Sequence, residues 1–286
     1  MENGGPSRTA LVTAYARAYH QIADRAQIFT DPLAARLLGY AAEELPRLGT
    51  AATDRLGGAV TERPRRLFFA SRARFAEDAV TAAVAAGVRQ VVILGAGLDT
   101  FAYRNPHRDL RVFEVDHPAT QAWKRERLAT TGIDSPETLT FVPVDFETQT
   151  LATELESAGF SRTDAAVFVW LGVIYYLTPD AAHDTLAYIA GQAQPVEVVF
   201  DYLRSATTDA ERAYQQARAD RLAAVGEPLF SYFTPDGIAA QLRALGFTGI
   251  EDHSAPDLIA GYLGSSAAFL SEPSPLHALR LLRASR

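Results

Sequence analysis

Five short apolar runs recur through the middle of the chain: Val91–Leu94, Arg111–Val115, Leu139–Val144, Ala166–Leu171 and Val196–Phe200. Each is nearly continuous rather than alternating. A strand with one wet face alternates apolar and polar residues, whereas a strand covered on both faces does not have to. Helical spacing fills the stretches between the runs, and strands alternating with helices in this way make a doubly wound α/β sheet, mostly parallel. Two further strand candidates follow at Thr248–His253 and Ser266–Leu270.

The sheet is preceded by helices. Leu11, Tyr15, Ala18 and Ile22 share one helical face. A second short helix has Asp31 at the N-cap, Pro32 at N1 and Gly39 just past its end. A long third helix runs from Pro64 to about Ala86, where Gly87 stops it, and residues 43–62 carry no clear pattern. After the fifth run, Thr207–Val225 reads as a helix with Tyr214, Ala217, Leu222 and Val225 on one side. The aromatic loop Phe230, Tyr232, Phe233 follows, and then a helix opened by Pro235 and ending near Gly246. These patterns divide one structural unit into a helical cap and lead-in helix (1–87), an α/β core (88–271) with a lid insertion at 203–235, and a C-terminal tail (272–286).

Composition works mainly by exclusion. At 286 residues and 31.0 kDa the chain suits one large domain or two small ones. It has no cysteine, which removes disulfides, thiolate nucleophiles, Cys-ligated zinc and iron–sulfur clusters. Lys124 is the only lysine among 27 basic side chains, so lysine chemistry has a single candidate. A net charge of -7 without basic blocks argues against nucleic-acid or anionic-membrane partners. The N-terminus lacks a basic segment followed by an apolar one, and the longest apolar run, Ala165–Leu177, is shorter than the roughly 20 residues a bilayer demands. The expectation is a cytoplasmic protein acting on a small molecule.

The strongest local signal is Val91-Val-Ile-Leu-Gly95-Ala96-Gly97-Leu-Asp-Thr100, a buried strand running straight into Gly-x-Gly. There the backbone can turn tightly and approach a ligand, at the strand edge where open α/β sheets bind them. A dinucleotide fingerprint wants Gly or Ala where Thr100 stands, and no Gly-Lys-Ser/Thr follows, so neither a pyrophosphate turn nor a P-loop is complete. Asp116, closing the second strand, is spaced to accept from ribose hydroxyls. Both S-adenosylmethionine and NAD carry such a ribose. Asp145 and Phe146, after the third strand, offer an acceptor and an apolar face to an adenine ring.

Arg72 sits in the middle of an apolar stripe formed by Phe68, Phe75, Ala79 and Ala86 on the long helix. An unpaired guanidinium there would cost several kcal/mol, so it should have an anionic partner. The alternatives are an ion pair with a protein carboxylate, a guanidinium reaching solvent past its aliphatic stem, or a clamp on the carboxylate of a small ligand.

Taken in order, Arg72-Ala-Arg-Phe, Gln90-Val-Val-Ile-Leu-Gly-Ala-Gly-Leu-Asp-Thr, Ala102-Tyr-Arg, Val112-Phe-Glu-Val-Asp-His-Pro and Trp170-Leu-Gly-Val-Ile-Tyr-Tyr-Leu-Thr resemble one family. It is the leucine carboxyl methyltransferase-like branch of class I S-adenosylmethionine-dependent methyltransferases, which includes bacterial O-methyltransferases of secondary metabolism. The likeness runs from about Thr9 to the end of the sheet and includes Asp31-Pro32. It implies a seven-stranded Rossmann-like methyltransferase sheet and S-adenosyl-L-methionine as cofactor. It also implies that Arg72 holds the cofactor carboxylate, Gly95, Ala96 and Gly97 pass beneath its methionine portion, Asp116 binds the ribose, and Asp145 with Phe146 frame the adenine. Where members that methylate protein C-termini carry a glutamate after the fourth strand, this chain has Leu171, which leaves backbone or apolar contact with the cofactor there and loosens the inference about substrate.

Methyl transfer from a sulfonium is an in-line displacement in which the cofactor supplies the electrophile and the protein aligns the partners. A carboxylate acceptor is already ionised, whereas a phenol or alcohol gains from a base. The bases within reach of such an argument are His20, His183 and Asp201. Arg17, Tyr176, Tyr202 and Tyr232 are the remaining candidates for contact with the acceptor, with a solvated side chain as the alternative for Arg17 and helix-to-core packing for the tyrosines. A NAD-dependent oxidoreductase, suggested by Gly-x-Gly with an acidic ribose residue, is the rival activity, and a non-catalytic binding protein on the same fold is the other.

Overall fold

In the computed structural model, residues 7–24, 28–41, 43–45, 62–146, 148–264 and 275–286 are described. Helix α1 (Arg8–Ala23), α2 (Pro32–Leu38) and the long α3 (Arg63–Ala85) precede the sheet. Then come β1 (Gln90–Leu94), α4 (Phe101–Arg104), β2 (Arg111–Asp116), α5 (Pro118–Thr130), β3 (Leu139–Pro143), α6 (Leu151–Ser157) and β4 (Ala166–Trp170). A single 3-10 turn (Ile174–Tyr176) leads to α7 (Pro179–Ala190), β5 (Val196–Leu203), α8 (Asp209–Ala223), α9 (Pro235–Ala244), β6 (Gly249–Ser254), α10 (Ala255–Leu263) and β7 (Leu279–Ser285).

The strands form one seven-stranded sheet in the order β3-β2-β1-β4-β5-β7-β6, parallel except for β7, which runs antiparallel to both of its neighbours. The continuous apolar runs are explained by the pleat. Val92, Leu94, Phe113, Phe168 and Phe200 point into one apolar cluster, and Val91, Ile93, Val112, Val167 and Val199 point into a second on the opposite face. Both sides of each central strand therefore need apolar residues. A third cluster joins α1 and α2 to α5 and to Leu98 beyond the glycine loop, which seats the helical cap over the C-terminal edge of β1.

The bracketing residues of α2 act as expected: Asp31 accepts from the Leu33 and Ala34 amides, and Gly39 takes the left-handed conformation with φ of 80°. Several expectations are corrected. The tail assigned to 272–286 contributes β7, buried between β5 and β6. The strand expected at Ser266–Leu270 lies outside the described residues. The helix read at Thr207–Val225 forms over Asp209–Ala223, so Val225, read on one side with Tyr214 and Leu222, lies beyond its end and is 49% exposed. On α1, Tyr15 and Ala18 are buried while Ile22 turns outward. No helix among the described residues is long and apolar enough to cross a membrane.

Candidate functional site

The sheet reverses its winding between β1 and β4, and a cavity of about 1430 Å³ opens there against the C-terminal ends of the strands. Its floor is the loop after β1. Gly95 and Gly97 have φ of 65° and 48°, in the left-handed region that favours glycine. A Cβ on Gly95 would collide with Val173 Cγ2 from the loop after β4, and one on Gly97 would lie 3.1 Å from the Ala10 methyl of α1. The loop is tied to β2: the Ala96 amide donates to the Val115 carbonyl (3.0 Å) and the Gly97 amide to Asp116 Oδ2 (2.5 Å). The other oxygen of Asp116 accepts from the His117 amide at 2.7 Å. Burial raises the Asp116 carboxyl above its ordinary range, with these two amides pulling the other way.

Arg72 lines the same cavity from α3. Its Nη1 donates to Asp201 Oδ2 at 2.7 Å, and its guanidinium lies 5.0 Å from the Phe69 ring centre. Burial works against the charge of Arg72, but Asp201 and Tyr175 outweigh it, so the guanidinium is held even above its usual value. The requirement for an anionic partner is met by a protein carboxylate, while only one of five guanidinium donors is given to it. Gly172, with φ of 78°, passes beside this guanidinium, and its amide donates to Asp201 Oδ1 at 2.6 Å.

The other expected residues divide cleanly. Arg17, Ala96, Phe146, Leu171 and Tyr176 line the cavity. Arg17 is committed to the scaffold, its Nε donating to Asp31 Oδ2 (2.9 Å) and its Nη2 to the Leu98 carbonyl (2.8 Å). Phe146 is 63% exposed, presenting its ring to the opening. Asp145 does not line the cavity, though its neighbour does. Asp201 is fully buried with both oxygens engaged, so it contacts neither solvent nor an acceptor. Tyr202 is sealed in the core and donates to Asp252 Oδ2 at 2.7 Å, and Tyr232 packs against the same core; neither reaches the cavity.

The two histidine bases also fall away. His20 is fully buried; its Nε2 accepts from the Ile28 amide (3.0 Å), so Nδ1 carries the proton and donates to Asp24 Oδ2 (3.0 Å). His183 is exposed on α7 and outside the cavity lining, whereas its neighbour Asp184 lines it. Lys124 is shut away beneath the sheet edge, 2.7 Å from Glu114 Oε2. Glu227 was missed. It lines the cavity after α8 and accepts from the first turn of α1 through the Thr9 amide (3.1 Å) and the Thr9 hydroxyl (2.8 Å). A lone glutamate in a polar loop carries no sequence signal; only its partner on a distant helix marks it. Tyr176, within 2.8 Å of the Thr9 hydroxyl, is pushed up to about 12 by burial and keeps its proton at neutral pH.

The model of the leucine carboxyl methyltransferase family matches residues 10–190, a span holding the cap, the glycine loop, Asp116 and the loop after β4. A Bacillus subtilis (strain 168) protein assigned as an S-adenosyl-L-methionine-dependent methyltransferase, YktD, is 32% identical over 281 residues, 90% of this chain and 91% of that one. The chain belongs to the leucine carboxyl methyltransferase family. A Parafrankia relative assigned the same activity is 36% identical over 68% of this chain and 61% of its own length. A crystal structure of a Thermobifida fusca protein assigned as a methyltransferase shares the fold, with a TM-score of 0.58 at 18% identity, covering 100% of this chain and 96% of that one. The protein is thus an S-adenosyl-L-methionine-dependent methyltransferase, and the nicotinamide alternative gives way to that cofactor.

Proposed function

We propose that this methyltransferase transfers a methyl group to a carboxylate or hydroxyl oxygen of a small-molecule acceptor of the secondary-metabolite type. The observation that carries the reading is that Arg72, the Gly95–Gly97 loop and Asp116 all line a single cavity at the winding reversal. The cavity fits the cofactor. Arg72 has donors to spare for its carboxylate, the two glycines leave the floor free of side chains, Asp116 retains lone pairs for ribose hydroxyls, and the Phe146 ring and Leu171 supply apolar contact. Once bound, the cofactor supplies an electrophilic methyl group.

The protein's own work is then to orient and to exclude water. Asp201 holds Arg72 in place and binds the loop after β4 through Gly172, so the groove for the methionine end is set by two strands and a helix at once. The cavity exceeds the roughly 300–1,000 Å³ of ordinary ligand sites, which supports an acceptor of some bulk bound beside the cofactor. A family named for methylation of a leucine carboxyl supports oxygen as the accepting atom.

Arg72→Ala and Asp116→Ala should each weaken S-adenosylhomocysteine binding roughly tenfold or more, since a hydrogen bond to a charged group is worth about 1.5–3 kcal/mol. Calorimetric titration checks this, and unchanged affinity in both variants would overturn the site. Transfer from methyl-labelled cofactor to a panel of aromatic acids and phenols separates an enzyme from a non-catalytic binder.

A further inference from the structure

A directed chain of hydrogen bonds crosses the end of the cavity that holds Arg72. The Thr9 hydroxyl donates to Glu227 Oε2 at 2.8 Å, and that commits its single proton. The 2.8 Å contact between Thr9 Oγ1 and the Tyr176 hydroxyl must then have Tyr176 as donor. Tyr176 is left with oxygen lone pairs and no proton to offer. Any group that meets this hydroxyl from the cavity has to donate to it.

The chain lies beside Arg72 on one side and the glycine loop on the other. Tyr176 packs against Tyr175, ring centres 4.8 Å apart, and Tyr175 adjoins Arg72 and Gly172. Thr9 precedes Ala10, whose methyl approaches Gly97. Thr9, Tyr176 and Glu227 all line the cavity, while His20, His183 and Asp201 do not.

We propose that Tyr176, Thr9 and Glu227 form a proton relay serving an acceptor hydroxyl, and that the acceptor is a phenol rather than a carboxylate. The inference rests on the methyl-transfer reading above and narrows it. A carboxylate would set its own lone pairs against those of Tyr176 and has no proton to give. A phenol, with a pKa of about 10, donates to Tyr176 and can be deprotonated as the methyl arrives; Phe69 and Phe230 line the same space. The acceptor O–H bond breaks as the O–CH₃ bond forms, and the S–CH₃ bond breaks with its electron pair left on sulfur. The acceptor proton passes to Tyr176, that of Tyr176 to Thr9, and that of Thr9 to Glu227. Glu227 is partly exposed and releases it to water.

The test uses the full chain with phenol, catechol and 1- and 2-naphthol against benzoic, phenylacetic and 2-naphthoic acids, following S-adenosylhomocysteine formation. The wild type should methylate phenols. Glu227→Gln keeps one oxygen to accept from the Thr9 amide but puts an NH2 donor, and no base, against the Thr9 hydroxyl, so kcat on the phenol should fall about 10²–10⁴-fold, with KM and S-adenosylhomocysteine affinity within about threefold of wild type. Glu227→Asp should recover part of the loss, and Tyr176→Phe should lose kcat as Glu227→Gln does while the Thr9–Glu227 bonds persist. The relay is overturned if Glu227→Gln retains kcat within about threefold, if it loses cofactor affinity along with kcat as a mere clasp would, or if the wild type methylates acids alone or no phenol at all. Loss of S-adenosylhomocysteine binding in the wild type would instead remove the methyl-transfer reading on which the relay stands.

Discussion

Glu114 and Lys124 form an ion pair in a place where charge is expensive. Both are 1% exposed and 2.7 Å apart, on β2 and α5, and Glu114 stands two residues before Asp116 on the same side of the strand. The Glu114 carboxyl is pushed up to about 7: burial dominates, Asp99 and Asp116 add to it, and Lys124 opposes it incompletely. Tyr103 from α4 closes the remaining side. The folded pKa lies above the unfolded one, so the group's contribution to stability is fully present below about 4.5 and is lost as pH rises through about 7. Urea midpoints should therefore show wild type losing on the order of 1–3 kcal/mol relative to Glu114→Gln between pH 4.5 and 7.5. Parallel pH profiles for the two proteins would contradict this assignment. At this scale the sequence displays Arg72 and Asp116 because one interrupts an apolar stripe and the other ends a strand. It hides Asp201 as the partner of Arg72, since residues 129 apart in sequence meet only through the β5–α3 packing.

Among the elements, the strands and α2 are legible because their signals are local: apolar continuity for the strands, and cap, Pro and Gly for the helix. Helix α8 is where local pattern misleads. Its spacing of Tyr214, Ala217 and Leu222 suggests a buried stripe, yet none of its residues is buried, and it is moored at its N-terminal half by Arg204–Glu211 and by Gln215 to the Arg204 carbonyl. With its inner face, including Tyr214 and Leu222, only half-buried, α8 should open locally at much lower cost than α3, ten of whose residues are buried. Native-state hydrogen exchange should find α8 amides on the order of 100-fold less protected than those of α3. Equal protection would mean that the helix is held by something other than the contacts it makes here. The glycine loop is an element-scale device too. Gly95→Ala combines a left-handed φ with a collision against Val173, a cost of about 1–3 kcal/mol for the backbone alone, and it should reduce both folding stability and S-adenosylhomocysteine affinity.

Across the whole molecule, the last seven-residue strand matters out of proportion to its place in the chain. β7 bonds to β5 along its length on one side and to β6 on the other, and Leu281, Leu282 and Ala284 are fully buried. Burying a leucine is worth about 1.5–3 kcal/mol, so Leu279, Leu281 and Leu282 together approach the 5–15 kcal/mol by which domains are stable. A chain ending at Ala278 should show no cooperative thermal transition by calorimetry. A normal transition would return the segment to the status of a tail.

What the sequence by itself determined is whatever a local pattern can encode: the sheet's two-sided burial, the caps of α2, the glycine loop at the end of β1, the order of motifs that marks the family, and the demand of Arg72 for an anion. The tertiary structure decided which anion, which candidate bases are walled off, that the tail is a strand inside the sheet, and that Glu227 meets Thr9. These are contacts between segments far apart in the chain. Their free energy depends on desolvation and distance in the folded state, and neither quantity is written in the spacing of neighbouring residues.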